Sequence, residues 1–482
     1  MAKINHVFVL MLENRSFDHL FGLSGLPGVP KPPAKFGFKP GAPDQLTSDP
    51  PHEFDDVAVQ IDSGAMDGFG KSGGPDVLKG FSQADIPVLV KLANDSLLMD
   101  NWFSSMPGPT WPNRFFVHAA SSGGLDNSMG TFDVIKAVTN PGFCLRFQYG
   151  HVFDRLSGRG VPWRIYHGDS FPQVLSLKGM VAKKSDATFF RPASDFASDM
   201  ARGDTVAYTF IEPDYDLFRS YRYGNSHHPL GKISTGETFI AYIYNAIFKQ
   251  NAGKSSVLVV TWDEHGGFFD HVVPPPATPP GDSPLNHLRA KKPRNCRFDR
   301  FGVRVPTLLI SPWLPAGLGS RVFGPNTAFD HSSVVRALRS TFSLGAELTL
   351  RDLASPDWNQ VLLEKPRALS VELPEVMAPQ FDARPPSLEE ISAEGSPSGN
   401  VLGTAQIAVD LDWYIAERIH KAPLITSEFE ARLLPVQAVL TRQDSPHSSA
   451  LVDDGEAHRV LLQYIAAVRS REIEFQETRN PP

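Results

Sequence analysis

The chain has 482 residues, 46 Lys and Arg against 53 Asp and Glu for a net charge of −7, and 41% hydrophobic residues, with 33 Phe. That composition can fill a large core and excludes disorder along the whole length. The mild charge, with no long Lys/Arg run, excludes a nucleic-acid binder that works by bulk electrostatics, and two cysteines, Cys144 and Cys296, exclude a disulfide-rich scaffold.

The chain is too long for one small module. It is expected to be several domains or one large α/β domain with insertions. Met1-Ala2-Lys3 leads straight into a strand pattern, without a signal peptide, and no apolar run reaches the roughly 18–20 residues that span a bilayer. The expectation is a cytoplasmic chain as it stands, or a secreted or periplasmic one if a leader was removed. Residues 4–12 are almost all apolar, the pattern of a strand buried on both faces, as in a parallel sheet. The run stops at Glu13-Asn14-Arg15-Ser16-Phe17-Asp18-His19. Residues 22–80 are Gly/Pro-rich and read as long loops over the sheet edge. Shorter strand candidates are Trp163–Tyr166 and Val206–Ile211. Phe239, Ile240, Ile243, Tyr244 and Ile247 fall at helical spacing, with Ser234 or Thr235 as the N-cap. Residues 256–262 repeat the first strand design and end in Asp263-Glu264-His265-Gly266-Gly267; Val305–Ile310 form a third run. Residues 366–400 read as a linker. Ile407, Leu411, Tyr414 and Ile415, then Leu461, Tyr464, Ile465 and Val468, mark two amphipathic helices that would pack or make a homo-oligomer contact. Strands alternating with helices argue for an α/β fold with a mostly parallel sheet, whose ligands bind beyond the strand carboxyl ends.

Both polar clusters sit at such ends. Glu13, Asn14, Asp263 and Glu264 supply three carboxylates and an amide oxygen. Crowded carboxylates repel one another unless a hard cation with a taste for oxygen lies between them; ordinary caps and surface acids are the plain alternative. In Pro107-Gly108-Pro109-Thr110-Trp111-Pro112-Asn113-Arg114, Thr110 reads as an N-cap and Pro112 as a first-turn proline. A hydroxyl there lies where a helix N-terminus stabilises an anion, with Arg114 one turn on to reach a ligand oxygen. Among the histidines, His52, the His227-His228 pair and His265 and His271 are candidates to bond phosphoryl oxygens or protonate an alkoxide. His331 reads as part of a helix start capped by Asp330.

Met11–His19, Gly108–Arg114, Asn225-Ser-His-His-Pro229 and Thr261–His271, spread over about residues 4–345, together resemble the bacterial phosphoesterase family. That family contains phospholipase C enzymes and AcpA-like acid phosphatases, within the alkaline phosphatase-like superfamily. The resemblance implies a phosphoesterase catalytic domain over residues 1–365, ahead of the 366–400 linker and a helical 401–482 region. It also implies a mostly parallel central sheet flanked by helices and a substrate that is a small-molecule or phospholipid phosphate ester. By the same resemblance Glu13, Asn14, Thr110, Asp263 and Glu264 hold one divalent metal (Ca, Mg, Mn or Zn), Thr110 is the nucleophile, and His52, His227 and His228 surround the phosphoryl group. Asn225, Arg114 and His271 are the remaining substrate-side candidates. A sulfatase is the nearest rival reading, but it requires an oxidisable Cys or Ser where Thr110 stands. A non-catalytic binding protein on the same fold is the other.

Overall fold

The architecture comes from a computed structural model, which describes residues 3–130, 142, 144–380, 385–387, 391, 398–440 and 453–479. Its strands, in chain order, are β1 (His6–Leu12), β2 (Lys39–Pro40), β3 (Lys79–Gly80), β4 (Leu97–Leu98), β5 (Trp163–His167), β6 (Phe190–Pro192), β7 (Tyr208–Glu212), β8 (Ser256–Trp262), β9 (Thr307–Ile310) and β10 (Gly317–Leu318). Eight of them form one sheet in the order β10-β4-β9-β8-β1-β7-β5-β6; β2 and β3 pair separately. Within the sheet β9 alone runs against its neighbours β8 and β4, and every other pairing is parallel.

The apolar runs explain the centre of this sheet. β1 and β8 are buried along essentially their whole length, which suits strands covered by helices on both faces. They lie side by side with Leu12 opposite Trp262, so Glu13 and Asp263 emerge together. β1 is flanked by β8 and β7, strands that follow it in sequence on opposite sides. That reversal of strand order opens a crevice beyond their carboxyl ends.

The helix expected near residue 235 spans Ile233–Phe248 and buries Phe239, Ile240, Ile243, Tyr244 and Ile247. Its cap differs from the expectation. Lys232 holds the N-cap position without a side-chain bond, and Asp44 from the distant loop accepts from the Ser234 amide (3.1 Å) and hydroxyl (3.2 Å). Residues 22–80 are also more ordered than loops. They carry helices Phe54–Ile61 and Phe69–Gly73 and a second core in which Val57, Ile61, Phe69 and Val77 meet Phe268, Phe269 and Val303.

The C-terminal helices Gly399–Ile419 and Asp454–Arg479 pack on each other and join the main core. Ile407, Leu411, Ile415, Leu461, Tyr464, Ile465 and Val468 are buried there, and Tyr414 is half-buried. Lys184 pairs with Glu472 to tie the last helix to the sheet domain. Among the described residues no helix is long and apolar enough to cross a membrane.

Candidate active site

The crevice floor is made by the two strand ends. The Asn14 amide donates to Asp263 Oδ1 (3.0 Å), and the Arg15 amide donates to the Glu264 carbonyl (3.0 Å). Asn14 itself sits at φ 59°. Gly266, at φ 63°, lies so close that a Cβ there would fall 2.4 Å from the Asn14 carbonyl oxygen. The Glu-His-Gly-Gly turn therefore needs glycine at this point to lie flat against Glu13-Asn14.

Thr110 arrives from the side, on helix Thr110–Ala119. It is the first helical residue, with Pro109 as N-cap, so the helix starts one position earlier than the sequence pattern predicts. Asn113 explains the shift. Its side chain accepts from the Met106 amide (3.0 Å) and donates to the Gly108 carbonyl (2.9 Å), taking over the bonding of the loop before the helix. The Thr110 hydroxyl, 4% exposed, donates to Asn14 Oδ1 at 3.4 Å.

Four of the sequence candidates face elsewhere. Arg114 does not reach the cleft: its guanidinium is buried below it, donating to Asp263 Oδ2 (3.3 Å) and to the Leu12 carbonyl (3.3 Å). One helical turn carries it under the floor, where it balances Asp263. His227 is 1% exposed and both ring nitrogens are engaged. Nε2 faces the Ile233 carbonyl (3.0 Å) and Nδ1 accepts from Trp262 Nε1 (3.2 Å). Burial, then Arg15, hold it well below the usual histidine range. It is a wall support with no free nitrogen for a substrate. Asn225 accepts from the Asp214 amide (2.8 Å) and closes its own loop. His271 turns to Asp18 Oδ2 (2.6 Å), in another cluster.

Asn14, Thr110, His52 and His228 do line one cavity of about 360 Å³. His52 Nδ1 is anchored by the Pro50 carbonyl (2.6 Å), leaving Nε2 3.5 Å from Asn14 Nδ2 and 4.0 Å from Glu264 Oε1. Burial disfavours charge on this ring, but Glu264 and Asp49 outweigh it and push it up to about 10. His228 Nδ1 accepts from the Leu230 amide (3.3 Å), so its proton lies on Nε2, 3.6 Å from Asp49 Oδ2. Behind it the Tyr221 ring stacks at 3.8 Å between centroids. His265 bonds Gln60 Oε1 (2.7 Å) and lies 3.3 Å from Glu264 Oε2, bracing that carboxylate from outside. His331 is buried, with Nε2 on the Asp263 carbonyl (2.7 Å); it occupies the N-cap position of helix Ser332–Phe342 itself.

The cavity also contains residues outside the sequence candidates. Asp49 and Lys291 come from loops, and Ser398, Asn400 and His458 come from the C-terminal helical region. Phe69, Phe268 and Phe269 fill the second core, with Phe36 and Phe38 against it, and most of the residues that line the cleft carry polar side chains.

Charge on the floor is unbalanced. Among the described residues, neither oxygen of Glu13 has a hydrogen-bond partner, nor has Glu264 Oε1, though all are buried. Burial, then Asp263, raise Glu13 well above the usual carboxylate range; Arg114 and the nearby Ser226 only partly offset them. Unanswered anionic oxygens in a buried site fit a hard cation. A different trio, Asp18, Asp270 and His271, brings its ligand atoms within 4.8 Å of one another and could hold a metal by spacing. There, however, Arg304 already lies between the carboxylates, 3.0 Å from an oxygen of each.

Comparison with known proteins adds a sequence profile of the Phosphoesterase family, which matches residues 4–345. The chain belongs to the Phosphoesterase family. It is thereby a hydrolase of phosphoric esters. It is similar to non-specific phospholipase C6 of Arabidopsis thaliana, with 31% identity covering 84% of this chain and 81% of the plant protein. It is also similar to the non-hemolytic phospholipase C of Pseudomonas aeruginosa, with 25% identity covering 71% of this chain and 54% of that one. Similar proteins thus occur in a plant as well as in a bacterium. A solved structure of an alkaline phosphatase superfamily protein from Vibrio parahaemolyticus aligns with a TM-score of 0.35 and 11% identity, over 74% of this chain and 72% of that one.

Proposed function

We propose that this protein is a metal-dependent phosphoesterase of the phospholipase C type, working through a phosphothreonine intermediate on Thr110. One observation carries the reading: buried, partnerless oxygens of Glu13 and Glu264 beside the one hydroxyl that meets Asn14. Glu13, Asn14, Thr110, Asp263 and Glu264 would hold one divalent cation, and their all-oxygen set suits Ca²⁺, Mg²⁺ or Mn²⁺ and tolerates Zn²⁺. Such a cation lowers the pKa of a bound hydroxyl and neutralises phosphoryl charge.

The chain's own groups supply the rest. The Thr110 hydroxyl gives its proton to solvent, and the alkoxide is the species that attacks and that the second step releases. The Thr110 Oγ1–P bond forms as the bond from phosphorus to the leaving oxygen breaks, and the Nε2 proton of His228 passes to that oxygen. Amide groups at the N-terminus of the Thr110 helix and the His52 ring face the equatorial oxygens, where charge accumulates. Water then attacks phosphorus, gives a proton to His228, and frees Thr110. The polar side chains along the cleft, His52, His228, Asn14 and Asn400 among them, suit a phosphoryl head group, with the remainder of a lipid left outside. The sulfatase rival has no support in the cleft, since neither Cys144 nor Cys296 lines it.

Thr110→Ala should retain the fold and lose at least about 10³-fold in kcat. The measurement is hydrolysis of a nitrophenyl phosphate, its phosphorylcholine diester and phosphatidylcholine micelles, side by side with defined cations. Turnover near the wild-type rate in the variant would sink the nucleophile assignment. Preference for the monoester would replace the phospholipase reading with a phosphatase one.

A further inference from the structure

The C-terminal helical region does more than cover the core. Helix Gly399–Ile419 begins at the cleft wall and touches the start of the nucleophile helix: a Cβ on Gly403 would fall 2.3 Å from the ring of Trp111, the residue after Thr110. One turn earlier, Asn400 Oδ1 accepts from Trp111 Nε1 (2.6 Å), and its Nδ2 donates to the Tyr221 hydroxyl (2.9 Å). The Tyr221 ring in turn stacks on His228 at 3.8 Å and 15°. A single amide thus spans the helix that carries Thr110 and the ring that backs His228.

The conformation of Tyr221 gives this span something to hold. Tyr221 has φ 67° and its predecessor Ser220 φ 54°. Consecutive non-glycine residues in the left-handed region cost of order 1 kcal/mol each and persist only where surrounding contacts fix them. The Tyr221 amide is held by the Asp216 carbonyl (3.0 Å) and its hydroxyl by Asn400. Without Asn400 the hydroxyl loses its link to Trp111 and keeps only Ser398 as a side-chain partner among the described residues, so the ring that backs His228 is less firmly held.

We propose that Asn400 is a positioning residue for the proton donor, through which the C-terminal helices set the distance from His228 to the leaving oxygen. The inference rests on reading His228 as that donor. An aryl phosphate ester expels a phenolate that needs little protonation, whereas an alkyl ester expels an alkoxide that needs a proton. A group that only stabilises the fold lowers both rates alike; one that places the acid lowers the alkyl rate selectively.

The test compares kcat/KM, which reports the step that expels the leaving group, for the aryl and alkyl esters of whichever phosphoryl group the wild type hydrolyses. Asn400→Ala and, as a variant that keeps the ring, Tyr221→Phe should lose roughly 10- to 100-fold on the alkyl ester and stay within about 3-fold on the aryl ester. His228→Gln should show the same selectivity with a larger loss. If His228→Gln is selective and neither other variant is, the positioning role falls alone. If His228→Gln is itself unselective, the donor assignment and the positioning role fall together.

Discussion

Two acid clusters grow from the same two motifs, a few residues apart, and end in opposite states. In the first, Glu13 and Asp263-Glu264 follow strands β1 and β8, and three of their buried oxygens have no partner. In the second, Asp18, Asp270 and His271 lie just beyond. There the Asp18 amide and Val272 amide donate to Asp270 (3.1 and 2.9 Å), the His271 amide donates to Asp18 (2.7 Å), and Arg304 donates to both carboxylates. Residue type does not separate the two. What separates them is how far the fold's own counter-charge reaches: Arg304 meets both carboxylates of the second cluster, while Arg114 meets Asp263 of the first and leaves the Glu13 oxygens without a hydrogen bond among the described residues. A cluster answered from within holds loops together, and the other is the one proposed to take a cation and a phosphoryl group.

The sharpest way to break this contrast is to remove the internal counter-charge. Arg304→Ala leaves Asp18 and Asp270 facing each other while buried. Truncating one member of a buried charge group typically costs about 3–5 kcal/mol. Arg304 also stacks over Phe17 at 4.4 Å and donates to the Asp100 carbonyl (3.0 Å), which adds to the loss. The expected result in urea unfolding is a large drop in the midpoint. A drop under about 1 kcal/mol would show that the second cluster does not depend on Arg304.

The opposite change should have the opposite sign in the first cluster. Glu13→Gln removes a buried charge that Arg114 only partly offsets, so the metal-free protein should gain about 1–3 kcal/mol. Wild type should also show a melting temperature that rises with added divalent cation, by mass action, and Glu13→Gln should lose most of that rise. Thermal scans with and without chelator check both parts. A destabilised metal-free variant would mean that Glu13 has a partner in the fold after all.

The contrast also marks how far the sequence could be read. The strands buried on both faces, and the acids at their ends, followed from apolar runs of the right length. The direction of β9 did not, because hydrophobic pattern carries no sense of direction. Thr110, His52 and His228 lay in recognisable strings and do line the cavity. Arg114, His227, Asn225 and His271 lay in the same strings and point away, into the floor or into loops. A motif records every residue that the local geometry needs, structural and chemical alike, and only tertiary contacts separate the two. Asn400 and His458 had no string at all, since they reach the cleft from a part of the chain far from every motif. Asp49 had a faint signal, three residues before His52.

A third buried carboxylate supplies the intermediate case and the smallest test. Glu237, 4% exposed, has neither an arginine nor a place for a cation; instead it accepts from the Val88 amide (2.7 Å) and the Leu89 amide (3.0 Å) at the start of helix Pro87–Asn94. Burial pushes it up from 4.5 to about 7, and those two amides restrain the rise. Its folded pKa is therefore above the unfolded one, so between the two values the native state binds more protons. The stability it contributes is complete below pH 4.5 and is lost as pH rises through about 7. Glu237→Gln has no proton to lose. The difference in unfolding free energy between wild type and Glu237→Gln should therefore fall as pH rises across that window, by no more than about 1.4 kcal/mol per pH unit, and be flat above it. A difference that grows with pH would mean that the two amides outweigh burial, and Glu237 would then belong with the fully answered cluster.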